Sequence, residues 1–232
     1  MINKPLRSLP HGKQNASGEL ASATLRKVPN QPRAALTIQI IFEAAAQIMQ
    51  SEGLAGLTTN RIAEQSGYAV GTVYQYFNNK DSLLLAMAMH EIDGVEQITQ
   101  EIMEKASGRP LDETLRAVVR AWLNAFGGQQ RVQHLMMQKV MDHGAFPEFH
   151  SHISKIADDL GRKLSALPLT GVQSLSPSGQ FALTRALLGV IRYGFLENSP
   201  LLHQAALEDD LVNLMRGFLL AKPEATNGEF AR

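Results

Sequence analysis

Between Leu57 and Lys80 the chain carries a pattern that few folds accommodate. Ile62 and Ala63 are apolar positions on one short helix, Val73 and Phe77 lie four residues apart on a second, and Ser66-Gly67 interrupts them. Two short helices joined by a glycine-containing turn make a helix-turn-helix unit, whose second helix can enter a DNA major groove. That second helix offers Thr72, Tyr74, Gln75 and Tyr76, and Lys80 follows it. Hydroxyl, amide and ammonium groups are the kinds that bond phosphates and base edges.

The flanking sequence supports a helical domain around this unit. Ile41, Phe42, Ala45, Ile48 and Met49 recur at helical spacing from about Arg33 to Glu52, and Gly53 suits a left-handed stop. Thr58 is placed to cap the next helix. A capping box would want Glu or Gln at position 61, where the chain has Arg61, a cation opposed to the helix dipole. Arg61 therefore either reaches a phosphate or lies on solvent. Asn79 is expected to cap a long helix from Lys80 to about Lys105, with Asp81 favourable in its first turn.

Beyond it, five more helical stretches follow. They begin near Leu111, Val132, Phe146, Ser178 and Gln204, set apart by Gly127-Gly128, Gly144 and a Ser- and Gly-rich loop from Pro168 to Pro177. No strand is predicted, so the expected class is all-α with about nine helices. The expected organisation is a flexible arm over residues 1–32, a helix-turn-helix domain over 33–80, a ligand-binding and dimerisation bundle over 81–222, and a flexible tail over 223–232.

Composition narrows the function. There is no cysteine in the 232 residues, which excludes disulfides and thiolate chemistry. The first residues lack a secretory apolar segment and no apolar run approaches a bilayer span, so the expectation is a cytoplasmic protein without a membrane partner. Formal net charge is zero, yet eight basic residues face four acids through Lys80, leaving +4 on that part and −4 on the rest. A basic front end suits a nucleic-acid partner, and the arm's cations could follow a phosphate backbone or minor groove.

The residues from Ile41 to Met87 resemble the TetR family of one-component transcriptional regulators. The resemblance is carried by Ala44-Ala45 with Ile48-Met49 before Gly53, Thr58-Thr59 with Ile62-Ala63, Gly67, Gly71-Thr72-Val73-Tyr74 with Tyr76-Phe77, and Lys80 before Leu83-Leu84. It implies a homodimer in which three N-terminal helices read a double-stranded operator, a fourth links them to an effector domain, and the last two helices pair across the two-fold. By position, Thr58 or Thr59, Tyr74, Tyr76 and Lys80 would hold phosphates, and Asn60, Val70, Gly71, Thr72 and Gln75 would lie nearest base edges. The sequence departs from the family pattern at Ala69, where a capping hydroxyl is usual, and at Arg61, where an acid is usual.

The C-terminal half suggests a switch. Trp122, Phe126, Met137, Met141, Phe149 and Phe181 could line an adaptable apolar pocket for an unknown small-molecule effector. Leu188, Gly189, Arg192, Leu211, Met215 and Phe218 are the expected dimer interface, with Gly189 and Gly194 letting a partner helix approach. His134, His143, His150 and His152, near Asp142, lack the spacing of a helical zinc site and are expected to face solvent or loops. No catalytic motif stands out, so neither an enzyme nor a cofactor is expected. The leading function is a repressor released by a small molecule. The alternatives are a helical ligand-binding protein that no longer binds DNA and a purely structural module.

Overall fold

The computed structural model describes residues 32–126, 131–141, 146–167 and 171–220, with the backbone alone at Pro32 and Phe126. The arm before Pro32, the tail, Gly127-Gly128, Asp142, His143 and Gly144 lie outside the described residues. Those described form nine α-helices and one 3-10 turn, with no strand among them. The helices are α1 (Pro32–Gly56), α2 (Thr59–Ser66), α3 (Val70–Tyr76), α4 (Lys80–Glu104), α5 (Leu111–Phe126), α6 (Arg131–Met141), α7 (Pro147–Ser165), α8 (Pro177–Leu196) and α9 (Ala205–Leu220), the 3-10 turn (Pro200–His203) preceding α9. The fold is all-α, as the periodicity predicts, while the 3-10 turn carries too little pattern to be foreseen.

Helices α1 to α3 close around a small core because their apolar positions converge. Ile41, Ala45, Met49, Leu57, Ile62, Val73 and Phe77 are fully buried there, and the Phe42 and Phe77 rings lie 6.0 Å apart. Each large side chain so enclosed contributes about 1.5–3 kcal/mol. Helix α1 does not end cleanly. Gly53 takes φ 71° and ψ −169°, which breaks the helix before a last turn to Gly56. That positive φ is open to glycine at no steric cost and strained for other residues.

Helix α4 joins the two halves. Its 25 residues reach roughly 37 Å, and all seven residues from Leu83 to Met89 are buried. A run without an exposed face means that this part of the helix is enclosed on every side, by the N-terminal helices and by the bundle. Asn79 caps it as expected, accepting a 2.8 Å bond from the Ser82 amide, while the Ser82 hydroxyl accepts from the Asn79 amide at 3.2 Å. This completes a capping box that uses Ser instead of Glu.

Polar contacts tie the bundle at several places. Arg116 and Arg120 of α5 converge on Glu208 of α9 at 2.6 and 2.7 Å. Trp122 is buried and its indole N–H donates to the Thr99 hydroxyl at 3.2 Å. His152 corrects its expected exposure: it is 4% exposed, with Nε2 2.6 Å from Asp93 Oδ1, joining α7 to α4. Helix α7 buries Phe149, Ile153, Ile156 and Leu160 on one face, and His152 abuts that stripe, so periodicity alone could not place it outside. Among the described residues no helix is long and apolar enough to cross a membrane.

Candidate nucleic-acid interface

The turn between α2 and α3 sets the geometry of the surface. Thr58 caps α2 by accepting from the Arg61 amide at 3.2 Å. Gly67 ends the helix in the left-handed region, at φ 73° and ψ 11°, and its amide bonds back to the Glu64 carbonyl at 3.3 Å. Ala69 then runs extended and gives no side-chain cap to α3. The backbone substitutes in part, since the Thr72 amide reaches the Ala69 carbonyl at 2.8 Å.

Helix α3 has two distinct faces. Val73 is fully buried and anchors the inner one, while Gly71, Tyr74 and Gln75 are exposed on the outer one. A side chain at Gly71 would meet no protein atom within 4 Å, so this spot is open to a close approach from outside. Thr72 and Val70 are half-buried, and Val70 packs on the core. Thr58, Asn60 and Lys80 are exposed, and Thr59 is half-buried. The Thr59 and Tyr74 hydroxyls lie 3.2 Å apart, linking the first turn of α2 to the outer face of α3.

Two of the expected phosphate ligands are placed differently. Tyr76 is 7% exposed, its ring packed beside Phe77 with centroids 6.4 Å apart, so it belongs to the core of the domain. It lies next to Phe77 and three residues after Val73, inside the apolar stripe, which pulls it inward despite its hydroxyl. Arg61 is held by two acids, its side chain 38% exposed. Its Nε and Nη2 donate to Glu52 Oε1 at 3.1 and 2.9 Å, and Nη1 donates to Glu64 Oε2 at 2.9 Å. The Glu52 bond above all, then Glu64, raises the Arg61 pKa above its usual value. The acid expected at position 61 is replaced by a cation that draws in two acids from neighbouring turns. Glu52 is the partner that sequence reasoning missed, because it stands nine residues away across the Gly53 break.

In consequence the interface carries little net charge. Across residues 33–80, Arg33, Arg61 and Lys80 are matched by Glu43, Glu52 and Glu64. The basic excess of the front end lies wholly before Arg33.

This helix-turn-helix region coincides with a family model. Residues 41–87 match the model described as bacterial regulatory proteins, tetR family. Residues 41–87 carry the TetR-family signature. The Fatty acid metabolism regulator protein of Bacillus subtilis (strain 168) is 24% identical over 135 residues, 58% of this chain and 67% of that protein. The HTH-type transcriptional regulator BetI of Paraburkholderia phytofirmans is 33% identical over 85 residues, covering 37% of this chain and 43% of the relative. Such matches span well under half of most curated relatives, 24% in the case of the HTH-type transcriptional repressor DrrR1 of Streptomyces coeruleorubidus. Solved structures share the fold over most of their length. A transcriptional regulator from Rhodococcus sp. Rha1 superposes with a TM-score of 0.56 at 19% identity, over 79% of this chain and 95% of that one. The fatty acid degradation regulator FadR from Bacillus halodurans does so with a TM-score of 0.54 at 19% identity, over 78% and 95%. The chain thus shares the fold of these solved regulators and, over residues 41–87, their helix-turn-helix signature.

In the single chain, the residues of the expected pocket and interface differ in burial. Trp122, Met137 and Phe149 fill the core, each at most 2% exposed, and the Phe126 side chain lies outside the described residues. Phe181 is 58% exposed under the Arg185 guanidinium, 4.8 Å from its ring centre. Met141 of the expected set lines a cavity, a space of about 60 Å³ among His150, Ile153, Ser154, Leu188 and Arg192. Leu188 and Arg192, expected at the dimer interface, therefore face inward, and Arg192 Nη2 donates to the Met141 carbonyl at 3.3 Å. Leu211 and Met215 are buried in their own bundle and Phe218 is half-buried against it. Gly194 faces Leu202 of its own chain, where a Cβ would sit 2.9 Å from Cδ2, and so admits no partner helix. Gly189 has open space around it. Helix α8 is apolar on more than one side, so its sequence could not say which side meets its own bundle.

Proposed function

We propose that this regulator binds a two-fold DNA operator as a homodimer and acts as a repressor released by a small molecule. The observation that carries the reading is the outer surface of α2 and α3: exposed Asn60, Gly71, Tyr74 and Gln75, with Thr59 bonded to Tyr74, mounted on a sealed core. Base edges would be read by Gln75, Asn60 and Thr72 through amide and hydroxyl groups, and Val70 could meet a thymine methyl at the edge of the domain. Thr58, Thr59, Tyr74 and Lys80 would hold phosphates. With no Arg or Lys inside α3, guanine is a poor target for it.

Dimerisation is assigned to α8. Phe181, Val190 and Tyr193 are 58%, 42% and 61% exposed on it, around the open Gly189. An apolar face of this kind is costly in water and suits a self-complementary two-fold contact. The effector is placed in the cavity among α6, α7 and α8. Its apolar wall of Met141, Ile153 and Leu188, with Arg192 at one side, suits a body that is mostly hydrocarbon with an acidic group. The space equals about two water volumes, so a larger effector must part these helices. A FadR from Bacillus subtilis has been solved in complex with stearoyl-CoA, a ligand of that amphipathic class.

The test is selection of a duplex from random-sequence DNA, followed by affinity at several salt concentrations. The reading expects a two-fold site with half-sites about 34–36 Å apart or a multiple of that, and loss of binding in the Tyr74→Ala, Lys80→Ala double variant. Recovery of no duplex would sink it.

A further inference from the structure

A polar contact joins the two halves of the chain away from the DNA-reading surface. Arg131 opens α6 in the bundle, and its Nη1 donates to the Gln50 carbonyl of α1 at 3.1 Å, across 81 positions of sequence. Its guanidinium lies over Gly53, with Nη2 3.8 Å from where a Cβ would be. The helix breaks at Gly53, and carbonyls at such an end lack the N–H donors of a continuing helix. A cation at a helix C-terminus both bonds such a carbonyl and complements the dipole. The DNA-binding domain thus receives the cap of its first helix from the effector bundle.

This cap leads onward. Two residues after Gln50, Glu52 holds Arg61 through two bonds. Gly56 has to be glycine for the Glu52 side chain to pass, since a Cβ there would collide with it. Arg61 lies in the first turn of α2, beside Thr58, Thr59 and Asn60, and its amide is the one that Thr58 caps. At its other end α6 finishes on Met141, whose carbonyl accepts from Arg192 and whose side chain lines the cavity. One helix therefore has the cavity at one end and the HTH domain at the other.

We propose that Arg131 is a positioning residue for DNA binding: through the Gln50 carbonyl, Glu52 and Arg61 it fixes the first turn of α2 relative to the effector bundle. The proposal rests on the DNA-binding reading above. Displacement of α6 by an occupant of the cavity would withdraw the cap, loosen α1 after Gln50, and free α2 to lose its register with the duplex.

The experiment uses the full chain with Arg131→Met, Arg131→Lys and Glu52→Gln, on the duplex selected from random sequence. Arg131→Met should weaken binding roughly threefold to tenfold, the range for one ordinary hydrogen bond, as suits a contact open to solvent, and Arg131→Lys should recover part of the loss. The slope of log affinity on log salt should not change, because Arg131 touches no phosphate; a phosphate ligand would lower it by about 0.9. Arg131→Met and Glu52→Gln together should cost less than the product of their separate effects, as linked residues do. Amide exchange without DNA should quicken from Leu54 to Ile62 in Arg131→Met. Wild-type affinity in that variant, a multiplicative double variant, or a lowered salt slope would each overturn the proposal. If the wild-type chain binds no duplex, the functional reading fails instead, and the exchange measurement still decides whether Arg131 holds α1 and α2.

Discussion

The hydroxyls of Thr59 and Tyr74 lie 3.2 Å apart, one on the first turn of α2 and the other on the outer face of α3. Each orients the other, so both present lone pairs and protons at fixed positions to whatever lies against the domain. Tyr74 is 42% exposed, and its hydroxyl is not part of the folded core. Tyr74→Phe should therefore weaken DNA binding several-fold with stability changed by no more than about 0.5 kcal/mol, as for other exposed substitutions. Because a phenol carries no charge, the salt slope should stay as it is, whereas Lys80→Ala should lower it by about 0.9. Equal DNA affinity in Tyr74→Phe and wild type would remove Tyr74 from the contact surface.

The Arg116–Glu208–Arg120 cluster gives the bundle a pH signature. Burial works to raise the Glu208 pKa, but hydrogen bonds from Arg120 and Arg116 outweigh it and the carboxyl sits below its usual 4.5. A carboxyl lowered by folding adds stability above its unfolded value, and that contribution is lost as pH falls through the folded one. Glu208→Gln should cost about 2 kcal/mol near neutrality, the size of a charge-assisted bond to a side chain 15% exposed. The gap between variant and wild type in urea unfolding should close as pH drops below 4.5. A gap that is constant with pH would show that the loss is one of packing.

What could be read from the chain beforehand follows its physics. The helices, the caps at Thr58 and Asn79 and the glycine turn at Gly67 depend on neighbours within a few residues, and they were legible. Sites built from distant residues were not. Arg61 met Glu52 only because Gly53 turns the chain back, and no local pattern announces that. Phe181 lies exposed and Leu188 on a cavity wall because α8 offers apolar side chains around much of its circumference, and only the packed neighbours decide which side is inside. Tyr76 shows the opposite error: a polar tip counted for more than the ring's place in the Val73–Phe77 stripe.

The exposed side of α8 yields a test of assembly. Tyr193 is 61% exposed with Val190 beside it at 42%, and neither serves the fold of its own chain. Tyr193→Glu should leave thermal unfolding of the protomer nearly unchanged while placing a charge in a dry contact, where an unpaired carboxylate is costly. Sedimentation velocity should then show the dimer split into monomers at micromolar concentration. The variant should also lose most of its affinity for a two-fold duplex, since linked half-sites bind with an effective concentration that single ones lack. A Tyr193→Glu chain that sediments as wild type would move the interface elsewhere.

The last prediction concerns where the electrostatic attraction to DNA originates. Residues 33–80 hold three basic and three acidic side chains, and Arg61 is already shared between Glu52 and Glu64. Lys4, Arg7, Lys13, Arg26 and Lys27, with Glu19 the one acid, place the surplus ahead of the helix-turn-helix domain. Binding driven by counterion release scales with the number of phosphates that cations neutralise, about 0.9 in the salt slope for each. A chain beginning at Pro32 should keep its fold and its preference for the selected sequence, because the hydroxyl and amide groups of α2 and α3 remain. Its affinity at low salt should fall, and its salt slope should drop by about 0.9 for every arm cation that sits on a phosphate. An unchanged slope would mean that the arm's charge stays off the duplex and that Lys80 and Arg33 supply the attraction. A lost sequence preference would mean instead that the arm itself reads bases.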